Sequence, residues 1–151
     1  MEPTDERRYW ILSSDPRRYH WDTLFVKGKE MWRGAGASLP VRRLVKQMRR
    51  GDRVLAFHGT PDRRVYALAE VTRDPYVDPG DPAGKAIIID LRALERIPRA
   101  VRLADMRGNP LLRHVKFLKN PRLPISLVLE AEYREILRMG GIVPMPGMPL
   151  P

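Results

Sequence analysis

Apolar residues recur along the chain in two rhythms, and each rhythm predicts a kind of element. "RYWILS" gathers aromatic and aliphatic bulk into a short run and predicts a buried strand. "SSDPRRY" predicts a helix start, with Ser14 or Asp15 as N-cap and Pro16 where no N–H is needed. Trp21, Leu24 and Phe25, at i, i+3 and i+4, give that short helix one apolar face. Residues 30–33 read as another short strand, ahead of the small-residue loop "GAGAS". In "VRRLVKQMRR", Val41, Leu44, Val45 and Met48 line one helical face while five basic residues occupy the rest, and Gly51 ends the helix.

"DRVLAFHG" and "RVYALAEV" are β-type runs separated by the turn-forming "TPD", which predicts a hairpin. "KAIIIDLRAL" has the continuous apolar run of a strand buried on both faces. "RIPRAVRLADMRGNP" reads as a basic irregular segment, followed by a short helix around Leu111 to Leu118. "LEAEYREILRM" is helical, with Leu129, Tyr133, Ile136 and Leu137 available to a core. The segment "GGIVPMPGMPLP" is too rich in Pro and Gly for regular structure and is expected to be extended or mobile. There is no internal repeat. A βαβα order, then several strands with a hairpin, then helices, predicts a mixed sheet of α+β type, one domain over residues 1–141 with residues 142–151 as a tail.

Composition narrows the class. A chain of 151 residues with 43% hydrophobic residues is long enough to bury a core. No run approaches a membrane span, and "MEPTDERRYW" lacks the apolar centre of a signal peptide, so a soluble cytoplasmic protein with no membrane partner is expected. With no cysteine, disulfides, thiolate metal sites and cysteine nucleophiles are excluded.

The net charge of +10 points to a polyanionic partner, with a merely Arg-biased, solvated surface as the alternative. The excess is concentrated. Arg96, Arg99, Arg102, Arg107, Arg113, Lys116, Lys119 and Arg122 share their segment with a single acid, Asp105, and Arg42, Arg43, Lys46, Arg49 and Arg50 form a second cluster. Of these, Arg42, Arg43, Lys46, Arg96, Arg99, Arg102, Arg107, Arg113, Lys116 and Lys119 are candidate contacts for a nucleic-acid backbone. Catalytic patterns are not found. His20, His58 and His114 form no metal-ligand spacing, Ser13 and Ser14 lack a nucleophile elbow, and "GAGAS" lacks the GK[ST] ending of a phosphate loop. Glu70 and Asp90, in strands, suit structural ion pairs with Arg. No cofactor and no enzyme activity are expected.

Several stretches together resemble one family. "YWILSSDPRRYHWDTL" is similar to the YWLxKSEPxxYSWDxL opening of the EVE domain family. "MWRGAGA" stands where that family has WxGVRNxxA, "RGDRVLAFHG" where it has GDxVLFYHS, and "ALAEVTRDPYVDP" where it has GIAEVxxxxYPDP. "IIIDLRALERIPRAVRLADM" resembles VDVxPVxxLPRPVxLxEI, and "NPRLPISLVLEAEYREILRMGG" resembles the closing RLSVxPLxxxEWxxILxMGG. The resemblance spans about residues 9 to 141. It implies a PUA-like fold, a mixed β pseudo-barrel flanked by helices and related to YTH domains. It also implies a reader of modified bases, such as 5-methylcytosine derivatives in DNA, flipped into an aromatic pocket.

On that resemblance the pocket comprises Ser13, Ser14, Trp32, Gly34, Phe57 and His58. Trp32 supplies the stacking face and the serines read the base edge, a division that suits what a base pocket needs. Each residue has a plainer alternative: Trp32 as core, Ser13 and Ser14 as helix caps, His58 as a surface histidine. Trp21 and Trp10 are explained as core. The family's Arg-Asn pair is Gly36 and Ala37 here, and its Lys is Ser13. DNA is the favoured partner, RNA the second, and an enzyme on a nucleotide-like substrate the third.

Overall fold

The computed structural model describes residues 7–33 and 38–151. Its strands are β1 (Tyr9–Ser14), β2 (Lys29–Trp32), β3 (Arg53–His58), β4 (Arg64–Val77), β5 (Ile87–Arg102) and β6 (Ile125–Val128). The helices are α1 (Asp22–Lys27), α2 (Leu39–Val45), α3 (Leu103–Arg107), α4 (Lys116–Lys119) and α5 (Glu130–Met139), with a 3-10 turn at Pro110–Leu112. The strands form one mixed sheet in the order β2-β5-β4-β3-β1-β6. Strands β1 and β3 are parallel and the other neighbours antiparallel. This is the expected α+β class.

Side chains along a strand point to alternate faces, so a strand apolar at every position needs cover on both sides. Strand β1 does this. Tyr9 and Ile11 enter one core, with Leu55, Phe57, Val65 and Leu68, covered by α3, α4 and α5. Trp10 and Leu12 enter the other, with Val54, Ala56, Ala67 and Ala69, covered by Trp21, Leu24 of α1 and Val45 of α2.

The first core is tight. The rings of Tyr9 and Tyr133 lie 4.4 Å apart, and a Cβ placed on Gly140 would collide with Ile97 and crowd Val101 at 3.3 Å. Glu132 secures the start of α5 by accepting the Leu129 N–H at 2.8 Å. Leu129 itself is exposed, contrary to its expected core role.

Other departures have local causes. Asp15 starts no helix. It accepts the Arg17 N–H at 2.9 Å and pairs with the Arg17 guanidinium, holding a turn, and α1 begins at Asp22. Helix α2 stops at Val45, before Gly51, because buried Asp52 draws the Arg49 N–H at 2.9 Å. The same carboxylate accepts Trp10 Nε1–H at 2.9 Å and the Arg8 N–H at 3.0 Å. The segment expected to be irregular after Arg96 is the end of β5, followed by α3. Pro98 is tolerated there because residues 97–100 bulge between the Ala67–Arg96 and Val65–Val101 pairs. The helix expected at Leu111–Leu118 is the 3-10 turn and α4. Residues 142–151 hold no helix or strand, yet Leu150 is buried in the first core and the Tyr133 hydroxyl donates to the Pro151 carbonyl at 3.0 Å.

Candidate functional site

Trp32 closes β2, where it pairs with Ile89 of β5. It is 5% exposed and belongs to the second core. Its ring runs nearly parallel to that of Trp21, with centroids 6.3 Å apart and planes 14° apart, an offset stack within the usual range for aromatic pairs. Three alanines of the same core, Ala56, Ala67 and Ala69, give these indoles room over the sheet.

Trp21 joins this stack to the end of β3. Its Nε1–H donates to the Phe57 carbonyl at 2.9 Å, and its backbone N–H donates to His58 Nε2 at 3.0 Å. Nε2 is therefore the unprotonated nitrogen, and Nδ1 carries the proton. His58 is fully buried, which corrects its alternative as a surface histidine, and burial pushes its pKa down to about 4. Nδ1 has no hydrogen-bond partner, with the Asp62 carboxylate 3.8 Å away.

Polar groups gather beside His58. The Ser14 hydroxyl donates to the Tyr19 carbonyl at 2.6 Å, leaving its oxygen free as an acceptor. The His20 ring lies 4.3 Å and the Tyr66 ring 4.8 Å from that of His58. Asp22 accepts from the Tyr66 hydroxyl at 2.6 Å and from Arg96 Nε at 2.9 Å. These hydrogen bonds, chiefly that of Tyr66, hold the Asp22 carboxyl below the usual range. Arg96 also lies over the Phe25 ring at 4.2 Å. At the opposite flank, Arg33 grips Asp78 through two hydrogen bonds of 2.6 and 2.9 Å, tying the end of β2 to the end of β4.

Only some of the expected pocket residues meet here. Ser14, Trp32 and His58 share the second face. The Phe57 side chain lies in the first core, edge-on to Phe117 at 4.8 Å, because strand alternation sends it through the sheet, and only its carbonyl reaches Trp21. Ser13 alternates to that same side, its Oγ close behind Gly59. Gly34, like Gly36 and Ala37, lies outside the described residues.

The cations divide likewise. Arg42, Arg43 and Lys46 accompany α2 on the second face, with Arg42 Nη1 donating to the Lys85 carbonyl at 3.3 Å. Arg107, Arg113, Lys116 and Lys119 lie on and around α3 and α4, which cover the first face. Arg107 Nε donates to the Leu118 carbonyl and Arg113 to that of Pro110. The Arg99 N–H donates to the Gly140 carbonyl at the end of α5. Arg102 ends β5, where its neighbour Val101 is buried in the first core, so its own side chain leaves on the second face. A segment that is continuous in sequence is thus split by the sheet.

Trp21, His20, Asp22, Tyr66 and Arg64 were not singled out as site residues. Trp21, His20 and Asp22 stand together in "YHWD", a dense set of aromatic and polar groups that signals something more than a helix face. Tyr66 and Arg64 carry no such signal, since only strand pairing brings them to His58.

The family model of the EVE domain matches residues 8–139. No curated protein matches the sequence. A crystal structure of a protein from Agrobacterium tumefaciens is 30% identical, with 95% of this chain and 99% of that chain covered and a TM-score of 0.83. Human THYN1, in complex with DNA containing 5-methylcytosine, is 16% identical, with 91% and 99% covered and a TM-score of 0.77. The YTH domain of Zygosaccharomyces rouxii MRB1, in complex with N6-methyladenosine RNA, is 13% identical, with 93% and 90% covered and a TM-score of 0.56. At those identities the last two show a shared fold alone. With a family model spanning nearly all of it and the paired-indole sheet in place, the chain belongs to the EVE domain family.

Proposed function

We propose that this chain is a non-catalytic nucleic-acid-binding module that recognises a modified base, in DNA by preference, extruded against Trp32. The observation that carries this reading is the stack of Trp32 on Trp21, itself tied to Phe57 and His58. An indole braced from behind is a rigid stacking surface, and base stacking on an aromatic ring contributes about 1–3 kcal/mol. Ser14, with a free acceptor oxygen, lies beside His58 and is suited to the polar edge of a base. The complexes of human THYN1 with 5-methylcytosine DNA and of a YTH domain with N6-methyladenosine RNA support a modified-base ligand for this fold. The second of these is the ground for RNA as the alternative partner.

Paired titrations test the reading. Matched oligonucleotides with and without 5-methylcytosine, in DNA and RNA, are titrated against wild type and Trp32→Phe. The expected result is a wild-type preference for the modified DNA that falls several-fold in the variant while salt-dependent affinity for unmodified DNA stays put. An unchanged preference in Trp32→Phe makes Trp32 a core residue and ends this assignment. Preference for N6-methyladenosine RNA over both DNAs moves the module to RNA.

A further inference from the structure

One end of the sheet carries a row of polar side chains that runs past the base pocket to two arginines the pocket does not explain. Ser14 pairs with His58, His58 with Arg64, and Arg64 with Arg102, in register across β1, β3, β4 and β5. The adjoining residues, Phe57, Val65 and Val101, are buried in the first core. Alternation therefore sends His58, Arg64 and Arg102 out on the same face as Trp21 and Trp32. Four neighbouring strands span about 14 Å, so the row is a shelf rather than a point.

Its electrostatics are unusual. Like charges directly opposite one another in a sheet are destabilising, yet Arg64 and Arg102 are such a pair. Neither forms an ion pair among the described residues, so nothing there offsets the repulsion between them. Two acids lie nearby. Asp22 is held by Tyr66 and Arg96, and Asp62 lies by His58 Nδ1. Four side-chain nitrogens are buried without a partner among the described residues, and two of them, His58 Nδ1 and Arg64 Nε, belong to this row. Donors without acceptors, on a face holding two unpaired guanidiniums, suit an anion with several oxygens.

We propose that Arg64 and Arg102, with the His58 Nδ1–H behind them, form a phosphate subsite for the strand whose base meets Trp32. The assignment rests on the base-reading function proposed above. It places the strand across the second face and leaves the cations of α3 and α4 off its path.

Two measurements test it. In the first, the Arg side-chain Nε–H resonances of the wild-type chain are followed by NMR as pyrophosphate is added. Those of Arg64 and Arg102 are expected to shift together at the lowest concentrations, ahead of Arg113. In the second, single-stranded oligonucleotides are titrated over a salt series against R64Q/R102Q, R64K/R102K and the first-face control R113Q/K116Q/K119Q, each checked for folding by thermal melt. R64Q/R102Q is expected to lose about tenfold in affinity or more and to flatten the salt slope by about 1.4, or about 0.7 for each lost contact. R64K/R102K is expected to keep the slope while recovering only part of the affinity, since it retains charge without the fork, and the control to bind as wild type.

Pyrophosphate that leaves Arg64 and Arg102 unmoved overturns the subsite, as does a control that loses as much as R64Q/R102Q. The two proposals fail separately. Equal binding of modified and unmodified bases, with Arg64 and Arg102 still responsive, removes the base reader and keeps the subsite. A base preference that survives while neither arginine matters does the reverse.

Discussion

The two faces of the sheet solve different packing problems with the same strands. On the first face β1, β3 and β4 present Tyr9, Ile11, Leu55, Phe57, Val65 and Leu68 to the helices, while Ile97 and Val101 of β5 leave no room for a methyl group at Gly140. On the second face the sheet is floored with Ala56, Ala67 and Ala69, and Trp21 and Trp32, from outside the central strands, fill the volume together with Trp10 of β1. Both indoles are nearly closed off, Trp21 fully buried and Trp32 5% exposed, so they complete a core as well as standing beside the polar groups at His58. Titratable groups follow the same division, with His20, Asp22, His58 and Tyr66 grouped beside the second face.

Substitutions that strain one face and spare the other put this contrast to the test. The largest effect is expected from Phe57→Ala. It empties a fully buried ring position against Phe117 and should lower unfolding free energy by about 3–5 kcal/mol in a denaturant titration. Base preference in the folded fraction should persist, because that ring faces away from Trp32. Loss of preference at unchanged stability would break the division between the faces.

Acid sensitivity should be read next, and it belongs to the second face. His58 is neutral when folded, with a pKa pushed down to about 4, against about 6.5 unfolded. Between those values the unfolded chain binds the extra proton, so this contribution is fully present above pH 6.5 and is lost as pH falls towards 4. The loss reaches at most about 3 kcal/mol. His58→Gln, which keeps an acceptor for the Trp21 N–H but cannot titrate, should flatten the stability profile in that window. A wild-type profile already flat from pH 6.5 to 4 would contradict the buried neutral imidazole.

A smaller cost, about 1–3 kcal/mol, is expected for Ala67→Leu, which lengthens the alanine floor and lifts the indoles. Tryptophan fluorescence should change together with the melting temperature. An unperturbed emission spectrum would mean that the indoles do not rest on this floor. The smallest effect is expected from neutralising Arg113, Lys116 and Lys119 together. These exposed cations on the first face should alter stability by no more than about 0.5 kcal/mol and leave the salt slope of oligonucleotide binding unchanged. A slope reduced by two or more would show that nucleic acid also follows the first face.

The strands were legible in the chain because their rhythm of burial is local. "DRVLAFHG" and "RVYALAEV" form the expected hairpin, with Val54 opposite Ala69 and Ala56 opposite Ala67. "LEAEYREILRM" became α5 with Tyr133, Ile136 and Leu137 buried, because three apolar positions at helical spacing suffice to turn one face inward. The family was legible as well, in the order of its modest motifs. Capping residues misled. Asp15 had the chemistry to start a helix but took the Arg17 amide in a turn, and the helix expected to run to Gly51 ended early where Asp52, reaching back to Arg8 and Trp10, also took the Arg49 amide.

The amino-acid sequence by itself determined the α+β class, most of the elements, the cationic excess and the family. Tertiary structure decided which of those charges and rings meet. Phe57 and His58 are neighbours in the chain yet lie on opposite sides of the sheet, because a strand reverses its side chain at every residue. Arg64 and Arg102 are far apart in the chain yet directly opposite, because β4 and β5 pair past a bulge. Composition counts charges and periodicity assigns faces within one element, but register between strands is set by long-range pairing that no local pattern encodes.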